Sequence, residues 1–214
     1  MTLPFDPRHV LDFWFPDDGH WLQMDTHVAF WQARMRGGMD AAICDHFGPV
    51  TEAAADGHLD HWAETPRGRL ALVIALDQFS RSYWRHTPAA YAQDMKACRL
   101  VTEAVASGHY AALRVPWERE FMIIALTHCE GPDHLARMDL ALELAGRQGE
   151  VLHQGLEALQ ALSIEQNTHV REIIARFGRH PHRNAILGRP STAAEAAYIA
   201  EGKFPHERKI EAPV

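Results

Sequence analysis

The chain has 214 residues, 47% of them hydrophobic and 23% charged, so it can bury one sizeable core and falls in the ordinary globular range. A formal net charge of −7 argues against a general nucleic-acid binder, whose footprint is a basic excess. The opening Met1-Thr2-Leu3-Pro4-Phe5-Asp6 lacks the basic and apolar regions of a signal peptide, and the longest purely apolar run, Leu70 to Leu76, is too short to span a bilayer.

Proline and glycine punctuation predicts a succession of helices. Asp6-Pro7 places a capping side chain before a proline and opens a helix near 7–15; helices near 26–36 and 39–56 follow, the last stopped by Gly57. His58-x-x-His61 falls in the next connection without the glutamate of a zincin, so no metal site and no cofactor is expected there. Thr65-Pro66 opens a helix near 66–80, on which Leu70, Ile74, Asp77 and Arg81 share one face. Thr87-Pro88 opens 88–107, which Gly108 closes.

On a helix near 116–129 the same spacing joins Trp117, Phe121, Ile124 and His128, with Glu130 just beyond and Gly131 as the expected C-terminal cap. Helices near 132–147 and 150–177 follow; Ser163-x-x-Gln166 resembles a capping box and marks a place where the second could break. His169, Ile173 and Arg176 align on it, Gly178 stops it, and 193–200 is the last helix. The final ten residues or so, Phe204 included, show no periodicity. β-branched residues are sparse and no stretch alternates. The expectation is therefore one all-α domain, ordered from about 5 to 203, of eight to ten helices folded as antiparallel hairpins.

Polar groups on apolar faces need partners, because an unpaired buried charge is costly. Glu130 opposes the negative end of a helix dipole, which calls for a nearby arginine, Arg183 being the first choice. Between Arg171 and Arg189 lie five arginines with His180 and His182, against one acid, Glu172. If successive helices alternate in direction, 66–80, 116–129 and 150–177 run parallel and deliver their C-terminal ends to one place. Asp77, Arg81, His128, Glu130, His169 and Arg176 would then gather there, closed over by Arg179, His182, Arg183 and Asn184 of the following loop. The blander reading is a set of structural ion pairs and a satisfied core histidine. Cys129 beside His128 points to another face of its helix and reads as packing. The tryptophans read as core, and no phosphate loop, nucleophile elbow or dinucleotide fingerprint is present. Three widely spaced cysteines, Cys44, Cys98 and Cys129, suit a reducing cytoplasm better than a disulfide frame.

Leu76-Asp77-Gln78-Phe79-Ser80-Arg81, Thr127-His128-Cys129-Glu130 and the run Phe177 to Asn184 with Leu187-Gly188-Arg189 resemble the domain-of-unknown-function-924 family of mainly bacterial proteins. Gly57 to Trp62 and Ser191 to Glu195 extend the resemblance over nearly the whole chain. It implies an all-helical, tetratricopeptide-like fold and leaves the biochemical role unassigned. The family usually carries proline at Ser80, serine at Cys129 and an aromatic at His180, so a hydroxyl nucleophile at 129 is not expected.

The residues favour a binding module whose Arg/His-rich cleft takes an anionic small molecule or a peptide carboxylate, with no nucleic-acid or membrane partner. The alternatives are a hydrolase using His128 or Glu130 as acid–base group, with or without a metal, and a polar cluster that only locks the loop.

Overall fold

A computed structural model describes residues 5–35, 37–202 and 204. Helices begin where the sequence supplies a cap. Asp6 accepts the Arg8 N–H at 2.9 Å ahead of Pro7, starting α1 (Pro7–Trp14), and Thr65 accepts the Gly68 N–H at 3.1 Å ahead of Pro66, starting α4 (Pro66–Val73). Thr87-Pro88 behaves differently. The Thr87 hydroxyl donates to the Trp84 carbonyl at 2.8 Å, only a 3₁₀ turn follows, and α6 (Asp94–Ser107) starts later than expected.

The remaining helices are α2 (Met24–Arg34), α3 (Asp40–Ala55), α5 (Ser80–Tyr83), α7 (His109–Ala112), α8 (Pro116–His128), α9 (His134–Gly146), α10 (Ala158–Phe177) and α11 (Ala193–Glu201). A π-helical segment, Ile74–Phe79, joins α4 to α5 in one continuous rod. Counted with that rod as one, the described residues form ten helices and no strand. No helix among them is long and apolar enough to cross a membrane.

Two further expectations are corrected. The stretch before Ala158 is a connection, and Ser163 lies inside α10, where its hydroxyl donates to Glu120 rather than capping a helix. Helix α8 ends at His128 with Cys129 extended, so Gly131 is not its cap. Gly178 does close α10, with φ 71° turning the chain into the following loop. Gly68 has a different reason: a Cβ there would lie 2.3 Å from the Trp62 carbonyl oxygen, so only glycine lets the two backbones approach.

Contacts establish the helix directions. Near their starts Arg67 of the rod pairs with Glu118 of α8, and Ser163 of α10 donates to Glu120 of α8. Toward or beyond the other ends Asp77 meets His128, and His180, after α10, meets the Thr127 carbonyl. Arg69, at the start of the rod, reaches Glu103 near the end of α6, while Arg81 at the rod's other end reaches Asp94 at the start of α6. His134 at the start of α9 meets the Thr127 carbonyl at the end of α8, and Gln160 at the start of α10 meets the Ala145 and Gly146 carbonyls at the end of α9. The rod, α8 and α10 therefore run parallel, as the expected hairpins require.

The core fills the space between these layers. Leu70, Leu72, Ile74 and Leu76 of the rod and Met122, Ile123 and Leu126 of α8 are fully buried, each contributing about 1.5–3 kcal/mol. Trp14 of α1 packs edge-on against Phe79 and Phe121, with ring centroids 5.8 and 5.4 Å away. A smaller apolar group, Ile173, Tyr198 and Phe204, joins α11 to α10. Phe204 is thus buried despite its unpatterned surroundings; the rest of that tail lies outside the described residues.

Candidate functional site

The π-helical turn of the rod carries Asp77, and such turns recur at functional sites because they re-aim side chains. Asp77 is 0% exposed and receives the His128 ring: Nδ1 lies 2.8 Å from Oδ1 and 3.0 Å from Oδ2. Gln78 donates to Oδ2 at 2.5 Å, and Arg81 stands 3.5 Å from Oδ1. Burial acts to raise the Asp77 pKa, but His128 and Arg81 outweigh it and hold the carboxyl below its ordinary range.

Arg81 passes the network on. It donates to the Ala90 carbonyl and, at 2.6 Å, to Asp94. The other Asp94 oxygen accepts from Arg183 at 2.9 Å, and Arg183 also donates to the His128 carbonyl at 2.8 Å. Both guanidinium carbons stand 4.6 Å from the Tyr91 ring centroid. The loop after Gly178 is latched separately. Glu130 accepts the His180 N–H at 2.7 Å and pairs through both oxygens with Arg189, not with Arg183 as expected. Burial raises the Glu130 carboxyl, and Arg189 together with the His180 N–H more than reverses this. The His134 and His180 rings converge on the Thr127 carbonyl at 2.9 and 3.0 Å. Burial first of all lowers the pKa of each, to about 4 for His134.

These groups border one end of a cleft of about 1260 Å³. Gln78, Arg81, Tyr91, His128, His182 and Arg183 line that end. Trp14, Trp31, Trp117, Phe121 and Ile124 make apolar walls further along. Glu120 projects between them from the same face of α8 as His128, its Oε2 accepting from Gln148 and Ser163 at 2.7 Å each.

Of the residues singled out from sequence, Asp77, Arg81, His128 and Arg183 form one bonded cluster, Glu130 lies in the adjoining latch, and His182 lines the cleft. Asn184 is buried and holds the loop through Ser191 at 3.0 Å. Three expectations fail. Arg176 is exposed against Phe177, Arg179 is tied to Glu195 at 2.7 Å, and half-buried His169 does not line the cleft. The basic excess of the segment is thus largely dispersed, Arg171 going to Asp139 and Arg189 to Glu130.

Cys129 is buried, its thiol donating to the Glu130 carbonyl at 3.7 Å, and it serves packing rather than the cleft. His58 and His61 are exposed, and among the described residues no group of three or more potential metal ligands forms. Arg189 was among the arginines offered for Glu130, though Arg183 was preferred. Asp94, Tyr91 and Glu120 were missed, and of these only Glu120 carried a signal, since it stands three residues after Trp117 and four before Ile124 on the stripe already recognised.

No curated protein matches the chain. A solved structure, that of a protein of unknown function from Agrobacterium tumefaciens, is similar at 33% identity and a TM-score of 0.69, over 92% of this chain and 97% of that one. Residues 10–203 match the family described as bacterial protein of unknown function (DUF924). With that match spanning the rod, the cleft and the latch, the chain belongs to the DUF924 family.

Proposed function

We propose that the cleft recognises an anionic small molecule or a peptide carboxylate carried on an apolar body. The observation behind this reading is the pairing of Arg81 and Arg183, two guanidiniums that share Asp94 and one Tyr91 ring at the polar end of the cleft. Burial and then the charge of Arg81 lower the Arg183 pKa, and like charges held this close are relieved by an added anion. Arg183 Nε is buried without a partner, and with His128 Nδ1 engaged by Asp77, Nε2 is the ring nitrogen left for a ligand. Arginine suits a carboxylate because its donors form a planar fork. The aromatic walls would take the rest of the ligand. Free thiols at Cys98 and Cys129 support a reducing, cytoplasmic setting.

The test is titration of the full-length protein with 3-phenylpropionate, read by calorimetry and thermal shift. Wild type should bind and melt higher, and His128→Asn, whose amide can still donate to buried Asp77, should lose at least about tenfold in affinity with stability within about 1 kcal/mol. A variant that loses about 1–3 kcal/mol of stability, from a wild type that binds nothing, would return the cluster to a structural lock.

A second reading is favoured by the Asp77–His128 bond, which orients an imidazole as acid–base catalysis requires. Glu130 has no place in it, because Arg189 and the His180 N–H occupy its oxygens. Ester cleavage of p-nitrophenyl acetate by wild type and not by His128→Ala would favour a hydrolase; equal rates would remove it.

A further inference from the structure

Glu120 sits midway along the cleft face of α8, eight residues before His128, which is about 12 Å at 1.5 Å rise per residue. Both of its hydrogen-bond donors, Gln148 and Ser163, are neutral, and no salt bridge reaches it from the described residues. Burial pushes its carboxyl pKa up. A carboxylate withdrawn from water without a cation is costly, so this one is incomplete as a purely structural element.

A second, independent observation surrounds it. Gln148 is 3% exposed, and because its Nε2 is committed to Glu120, the amide orientation leaves Oε1 as a buried acceptor with no partner. His27 is also 3% exposed and lines the same cleft, with its Nδ1 buried and unpartnered. Aromatic faces close the space: Trp117 lies 5.2 Å from the His27 ring, and Trp31 lies 4.9 Å from Phe121. A carboxylate, an orphaned amide oxygen and indole faces together match one chemical group, an ammonium with three donors and a charge for the rings.

We infer that this half of the cleft receives an ammonium group, so that the ligand is a zwitterion with its amine at Glu120 and its anion at the Arg81–Arg183 end. The second half of that statement rests on the anion reading above; the first does not. The spacing suits an extended peptide of three or four residues with free termini, at about 3.3–3.6 Å per residue.

Calorimetric titration of the full-length protein tests both halves separately. Hexylamine should bind wild type at least about tenfold tighter than hexanol, which has the same tail and no charge, and Glu120→Gln should lose that preference while 3-phenylpropionate binding persists. The hexylamine–hexanol comparison in wild type stands even if the variant folds poorly. Equal binding of the two probes, or an unchanged preference in a folded Glu120→Gln, overturns the ammonium site. Glu120-dependent hexylamine binding without any 3-phenylpropionate binding overturns the anion reading alone. Tetra-alanine with free termini should bind at least about tenfold tighter than its N-acetylated form, and equal affinities would overturn the peptide assignment.

Discussion

Glu120 and Glu130 are half-buried carboxylates set ten residues apart along and just beyond α8, yet their surroundings treat them in opposite ways. Arg189 and a backbone N–H neutralise Glu130 and depress its pKa, while Glu120 has only neutral donors and its pKa rises. Burial acts in the same direction on both. What separates them is whether a cation was built beside them. One carboxylate latches the loop; the other faces a cleft without a cation beside it, and that contrast separates a charge the fold itself neutralises from one left to the proposed ligand.

The strongest way to break the structural side is Asp94→Ala, which removes the carboxylate shared by Arg81 and Arg183. Chemical denaturation should show a loss of about 3–5 kcal/mol, the cost of leaving buried charges unpaired. A loss below about 1 kcal/mol would mean that the arginines do not depend on it.

Acid should act next. His27 and His134 are held by burial at about 4, and His180 also lies well below its ordinary value. The unfolded chain takes up these protons near pH 6.5 and the folded chain does not, so stability is full above that pH and falls as pH drops toward 4. Each of these three histidines should contribute about 2 kcal/mol to the difference between denaturation at pH 7 and at pH 5. Glu120 titrates with the opposite sign, because its raised pKa makes the folded state bind the proton first. Removing its charge should therefore steepen the acid loss, and a flat profile would contradict the assignment of the buried histidines as neutral.

Glu130→Gln should cost about 2 kcal/mol, since it strips Arg189 of its partner at the mouth of the loop. An unchanged melting curve would show that the latch contributes nothing.

The convergence of Asp77, Arg81 and His128 was legible because helix spacing and alternating direction are both written in the sequence. The partner of Glu130 was not. Three arginines, Arg179, Arg183 and Arg189, compete within the loop after Gly178, and which one reaches it depends on a path through Gly178 and Pro181 that has no periodicity. Asp94 was hidden by the late start of α6, where Thr87-Pro88 looks like a helix cap yet starts only a 3₁₀ turn. The helices were readable to within a few residues except at the late start of α6 and before α10, where Gly155, with φ 89°, belongs to a connection and the first expected turns are missing. Ser163 misled for a physical reason: a serine suited to capping is equally suited to donating across a cleft, and only the position of Glu120 decides.

The most direct test of the contrast is the unfolding free energy of Glu120→Gln at pH 7, measured beside Glu130→Gln. The amide oxygen can keep the bonds from Gln148 and Ser163 while the uncompensated charge disappears. The account predicts a stability equal to wild type or up to about 1 kcal/mol higher; a loss of about 2 kcal/mol, matching that of Glu130→Gln, would show that Glu120 is a structural anion with a partner and would contradict it.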